Sequence, residues 1–205
     1  MAASIVSDSP LGIGISHGWR TVGDAMVVTR SDKARVYTLD NEPALDQYLR
    51  RLDAPPDVYH DPTAFSAWAM TRPLGVQRRS GVAAKNIARD VDFEGRSIGG
   101  GTEMVQGALI WATEGDAESI LDASAVACRS AIDALDGQAP IGLLAMSCLG
   151  CRAVLGADGA EREADTIAKQ AGATPFAGFY TLGEICRIRG VEGFHNQTLV
   201  VLAFS

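Results

Sequence analysis

The side chains best suited to chemistry crowd toward the carboxy terminus. Gly178-Phe-Tyr-Thr-Leu-Gly-Glu184 is followed by Cys186, Arg187 and Arg189, then by Gly193-Phe-His195-Asn196-Gln197-Thr198. A run of His, Asn, Gln and Thr leads straight into an apolar strand. That arrangement puts polar groups at a sheet end, where pockets form. Arginine there suits a carboxylate and glutamate an ammonium group. The competing reading is a hydrogen-bonded knot that closes the sheet, since buried polar groups must be paired in either case.

Cys148-Leu-Gly-Cys151 is a C-x-x-C following a predicted strand, as in a redox motif, but without the flanking aromatic and proline residues. Core thiols at a strand end are the simpler reading. Zinc held by Cys148, Cys151, Cys186 and His195, or a Cys148–His195 nucleophile pair, are the weaker alternatives. Gly99-Gly100-Gly101-Thr102 lacks the Gly-Lys-Ser/Thr of a phosphate loop. His60 reads as a surface residue leading into a helix, and His17, beside Trp19, as packing.

The elements that position these groups form a mixed α/β pattern. Leu11–Ser16 alternates glycine with apolar residues, and Met26–Arg30 with Arg35–Leu39 reads as a hairpin. Asn41-Glu42-Pro43 opens a helix with Leu45, Tyr48, Leu49 and Leu52 on one face, and Asp61-Pro62 opens a shorter one with Phe65, Trp68 and Ala69. Arg72–Ala84 reads as a loop, and Asn86–Ile98 as a hairpin around Phe93-Glu94-Gly95. Gly107–Ala112 is a strand. Ala117–Leu135 is a helix whose buried face is small: Ala123, Ala127, Ala131 and Ala134. Ile141–Met146, Phe176–Tyr180 and Thr198–Phe204 are strands, and Ala160–Ala171 is a helix with Glu161, Glu163 and Asp165 placed early, as the macrodipole favours. Strands apolar on both faces belong inside a sheet covered on both sides. The fold class is therefore α/β (α+β): a layered mixed β-sheet whose central apolar strands are covered by helices.

Composition excludes several functions. The chain has 205 residues, is 47% hydrophobic and carries a net charge of −7, all of it in residues 101–205. No basic stripe is present, so no nucleic-acid partner is expected. No apolar run reaches the 18 or so residues of a membrane span, and the first ten residues do not read as a signal peptide. Four cysteines without a secretory signal imply reduced thiols and a cytoplasmic location.

These segments resemble a known family. Gly178–Ile185 with Gly193–Ala203 resembles the end of the FIST C-terminal domain, an intracellular sensory domain of bacterial signal-transduction proteins. Gly142-Leu-Leu-Ala-Met-Ser-Cys148 with Arg152 resembles the same family's strand-cysteine-arginine segment. Gly14–Trp19, Asp40–Leu45 and Tyr48 resemble the junction between the N- and C-terminal FIST domains. The resemblance implies a division into residues 1–40, the tail of the N-terminal FIST domain with junction strands, and 41–205, the C-terminal FIST domain. By position it implies a ligand site of Cys148, Arg152, Tyr180, Glu184, Arg187, His195 and Asn196, with no metal.

The resulting expectation is a sensory module that binds a small polar ligand, amino-acid-like, and signals to a separate protein partner. It is not expected to be an enzyme. Haem is the alternative cofactor, otherwise none. Haem needs a histidine facing a broad apolar cavity, whereas His195 is followed by Asn196 and Gln197. The other readings are a structural scaffold or homodimer, in which the polar cluster only holds the fold, and an enzyme using Cys148 as a thiolate. His195→Ala is expected to abolish ligand-induced stabilisation in the sensory case and to lower stability in the scaffold case.

Overall fold

The computed structural model describes residues 5–78, 81–87, 90–99, 103–188 and 191–205; at 78, 81, 185–188 and 191–195 it describes the backbone. The early elements are β1 (Leu11–Ser16), β2 (Arg20–Asp32), β3 (Arg35–Leu39), β4 (Glu42–Pro43), α1 (Ala44–Arg51), a 3-10 turn (Pro56–Tyr59) and α2 (Pro62–Ala69). Then come β5 (Leu74–Arg78), β6 (Gly81–Lys85), β7 (Val91–Asp92), β8 (Ser97–Gly99), β9 (Leu109–Glu114) and α3 (Ala117–Asp133). The chain continues with β10 (Gly142–Cys148), α4 (Leu149–Ala171), β11 (Phe176–Thr181), β12 (Glu184–Ile188), β13 (Val191–His195) and β14 (Leu199–Phe204).

These elements form two compact units that interleave along the sequence. One comprises Met1–Gly18, Ala117–Glu184 and Thr198–Ser205; the other comprises Trp19–Asp116 and Ile185–Gln197. The boundary expected at 40/41 lies inside the second unit, between β3 and β4.

The first unit holds a four-stranded sheet in the order β1-β14-β10-β11. The β1–β14 and β14–β10 pairs are antiparallel and β10–β11 is parallel. Helix α3 packs on β1 and β14, α4 packs on β10 and β11, and the two helices pack on each other. Both therefore lie on one face. On the other face Ile13 is 51% and Phe179 55% exposed, so the helices cover one side of the apolar strands and not two.

The glycines of β1 explain how α3 lies so close. A Cβ at Gly12 would stand 1.9 Å from the carbonyl oxygen of Ala131, and one at Gly14 2.0 Å from that of Ala127. The helix answers with Ala127 and Ala131, both fully buried. Ala134, expected on the same face, is exposed just past the end of α3, and Leu135 fills the buried position instead.

The second unit is built on a larger sheet in the order β6-β5-β9-β2-β3-β8-β7, with β4 beside β3. Arg72–Ala84, expected as a loop, instead forms β5 and β6, because Leu74 and Val76 alternate inward against β9. Ile98 and Gly99, expected in a glycine turn, belong to β8; residues 100–102 lie outside the described ones. Asp61 caps α2, its carboxylate accepting the Thr63 and Ala64 amides at 2.7 and 3.3 Å. The core of this unit contains an aromatic group in which Tyr48 meets Trp68 edge-on at 5.7 Å and Phe93 meets Phe65 likewise. The Tyr48 hydroxyl, fully buried, donates to the Arg72 carbonyl. Tyr48→Phe leaves that carbonyl unpaired while keeping the ring contacts. It is expected to cost about 1–2 kcal/mol, read as a melting temperature lower by a few degrees; an unchanged value would show that the bond contributes nothing.

Candidate functional site

The site lies along β10 and β11, the parallel pair, on the face that carries α4. Small residues make the space. Ala160 and Ala164 of α4 line it together with Gly178 of β11, where a Cβ would meet the Ala145 carbonyl at 2.7 Å. The result is a cavity of about 220 Å³ walled by Ala145, Ile167, Phe176, Phe179 and Leu199, with Ser147, Glu163 and Tyr180 as its polar groups.

Glu163 is the chemical centre, and the sequence reading saw in it only a macrodipole residue. It is 2% exposed. The hydroxyls of Ser124 and Ser147 each donate to Oε1 at 3.1 Å. Oε2 receives a longer contact, 3.4 Å, from the Tyr180 hydroxyl. Burial raises the Glu163 pKa above the ordinary carboxylate value, opposed by the donors and by the nearby Arg152 charge. Ser124 also stands 3.0 Å from the Ile120 carbonyl. One serine proton cannot fully serve both acceptors, so it is shared between Glu163 Oε1 and the Ile120 carbonyl. The clue in the sequence was spacing: Leu155, Gly159, Glu163, Ile167 and Ala171 recur every four residues and are all buried on α4. A carboxylate in an apolar stripe is the sign of a built site.

Helix α4 begins earlier than expected, at Leu149, and Gly156 breaks its helical geometry with φ 69° and ψ −168°. Arg152 donates to the Gly156 carbonyl at 2.5 Å and sits 6.0 Å from the centre of the Tyr180 ring. The break thus fixes a cation beside the tyrosine.

Glu184 plays a different part. It is 4% exposed; Thr198 donates to its Oε2 at 2.7 Å, Thr181 contacts Oε1, and Cys148 and the Thr198 amide add further bonds. Burial raises its pKa as well. It does not line the cavity but ties the ends of β10 and β11 to the start of β14. The knot and the pocket, set against each other as alternatives in the sequence reading, are two neighbouring structures.

Of the predicted site residues, Cys148, Arg152, Tyr180 and Glu184 meet in the first unit. Tyr180 alone of the four lines the cavity. Asn196 belongs to the second unit, as does the backbone of β13, and the side chains of Arg187 and His195 lie outside the described residues. Cys148 and Cys151 are buried thiols in no disulfide, and burial with the Cys148, Glu163 and Glu184 neighbours pushes the Cys151 pKa up. Burial likewise pushes Cys128 up to about 11. Among the described residues, no three His, Cys, Asp or Glu side chains are grouped to hold a metal, and no helix is long and apolar enough to cross a membrane.

Fold and cavity together define an α/β protein with a small, half-open pocket set against a buried carboxylate. The family model described as the FIST C domain matches residues 44–187, and that of the FIST N domain matches residues 1–42. The chain belongs to the FIST family, whose domains are sensory signal-transduction domains. Neither the curated proteins nor the solved structures yield a match.

Proposed function

We propose that the chain is a non-catalytic sensory module whose cavity receives a small, amino-acid-like ligand. Glu163 takes the ammonium group through Oε2, whose present partner is the long Tyr180 contact. Arg152, beside Tyr180 but outside the lining, supplies positive charge near the ligand's carboxylate, and the apolar walls take a short aliphatic side chain. The observation that carries this reading is the buried Glu163 carboxylate on an otherwise apolar cavity. At about 220 Å³ the space is smaller than the usual range of about 300–1,000 Å³ for ligand pockets. It suits a single small amino acid and has no room for a tetrapyrrole. Thiols whose ionisation is suppressed by burial support a binding role over a nucleophilic one.

The test is thermal unfolding with alanine, valine and leucine, with the matching amines and carboxylic acids, and with haem. A true ligand at 100 times its dissociation constant stabilises by about 2.7 kcal/mol, or roughly 5–10 °C for a chain of this length. Glu163→Gln is expected to lose the response and His195→Ala to keep it. The reverse pattern would move the site to the β12–β13 hairpin, and a response to haem alone would remove the amino acid from the proposal.

A further inference from the structure

We propose that β11 is a self-association strand: two copies of the chain pair antiparallel along it, joining their four-stranded sheets across a twofold axis. Among the described residues β11 pairs only with β10 and is an edge of its sheet. Edge strands are normally guarded by charge, proline or a bulge. This one has no such guard. From Phe176 to Gly183 no residue is charged and none is proline, and its six residues pair with β10 in unbroken register. Phe176 through Tyr180 are all exposed. In a chain of net charge −7 a neutral edge is where a second copy can approach without repulsion.

The pairing geometry follows from the existing hydrogen bonds. Leu143 donates to the Pro175 carbonyl at 3.0 Å. Alternation along the strand then turns the main-chain groups of Phe176, Gly178 and Tyr180 outward. A twofold axis perpendicular to the sheet keeps each side chain on its own face, so residues of like parity must pair. Centred on Gly178, this places Phe176 opposite Tyr180 of the second copy twice, and Ala177 opposite its Phe179 twice. The three outward residues of each copy supply both halves of every new ladder bond. The aromatic pairs are of the kind that stabilise antiparallel strands, and glycine on the axis keeps the centre free of side chains. The occupant is a second copy because the edge is complementary to itself in one register; it does not depend on any ligand.

Sedimentation equilibrium across micromolar concentrations tests this, with circular dichroism to confirm folding. The wild type is expected to reach twice its 21.6 kDa mass. A177K/F179K, which sets lysine against lysine at both Ala177–Phe179 pairs, is expected to weaken the dimer at least tenfold. A177K/F179E sets opposite charges there and is expected to restore it. Both positions are exposed, and because Phe179 also rims the cavity, circular dichroism checks that each variant is folded. A monomeric wild type, a dimer indifferent to A177K/F179K, or a failure of A177K/F179E to recover it would each overturn the proposal.

Discussion

Glu163→Gln, which is expected to blind the protein to its ligand, should make the unliganded protein more stable at neutral pH. The glutamine is isosteric, can still accept from Ser124 and Ser147, and can donate toward the Tyr180 oxygen. What it removes is a carboxylate whose ionisation burial opposes. The native pKa of Glu163 lies above its unfolded value, so between those two values the folded state holds a proton that the unfolded state has released. Stability therefore falls as pH rises through that window and stays reduced above it. Each tenfold weakening of the acid corresponds to about 1.4 kcal/mol, or about 3–5 °C in melting temperature for a chain of this size. The variant and the wild type should melt together near pH 4, and the variant should melt higher at pH 8. Glu184 has the same sign, so the slope of the variant is reduced and not abolished. A variant that melts lower at pH 8, or a difference independent of pH, would mean that Glu163 is held as a structural anion. The same linkage governs the ligand. An ammonium group favours the ionised form, so affinity should rise with pH through the same window.

Alongside a methyl group at Gly12, Gly14→Ala is expected to be among the most damaging single methyl groups in the first unit. Its Cβ would stand 2.0 Å from the Ala127 carbonyl oxygen and 2.7 Å from the Ala131 nitrogen, both helix backbone that cannot rotate aside. Helix α3 must lift off β1, which opens the core around Ala127, Ala131 and Val201. Overpacking of this kind costs about 3 kcal/mol or more, and for this chain length the melting temperature should drop by roughly 10 °C. Gly107→Ala is the control. Gly107 has φ 82° with nothing within 4 Å of an added Cβ, so only backbone strain of about 1–2 kcal/mol applies. Equal losses at the two positions would show that close approach to α3 is not what β1 needs glycine for.

The expected alternation of glycine and apolar residues in Leu11–Ser16 and the alanine stripe of α3 were legible before any coordinates. Their reason was not, because small residues announce close packing without naming the surface they pack against. The hairpin β2–β3, the helix start at Asp61-Pro62 and the strands β10, β11 and β14 were read correctly because their signals are local: alternation, a proline at a helix start, a run of apolar residues. The β5–β6 hairpin was missed because Arg78, Arg79 and Ser80 gave its segment a polar character, while burial depended on pairing with β9 from a distant part of the chain.

The site divides the same way. Sequence by itself determined the family and drew attention to Cys148, Arg152, Tyr180 and Glu184. Only the tertiary structure decided that Glu184 closes a knot while Glu163 holds the floor of a cavity. Both are glutamates near apolar residues, and nothing local distinguishes them. The difference lies in how many hydroxyls and amides the folded chain brings to each carboxylate: Glu184 meets a full set, whereas Oε2 of Glu163 is left facing space between α4 and β11. Desolvation and hydrogen bonding are properties of a residue's neighbours, and those neighbours are drawn from three segments that meet only when the sheet forms.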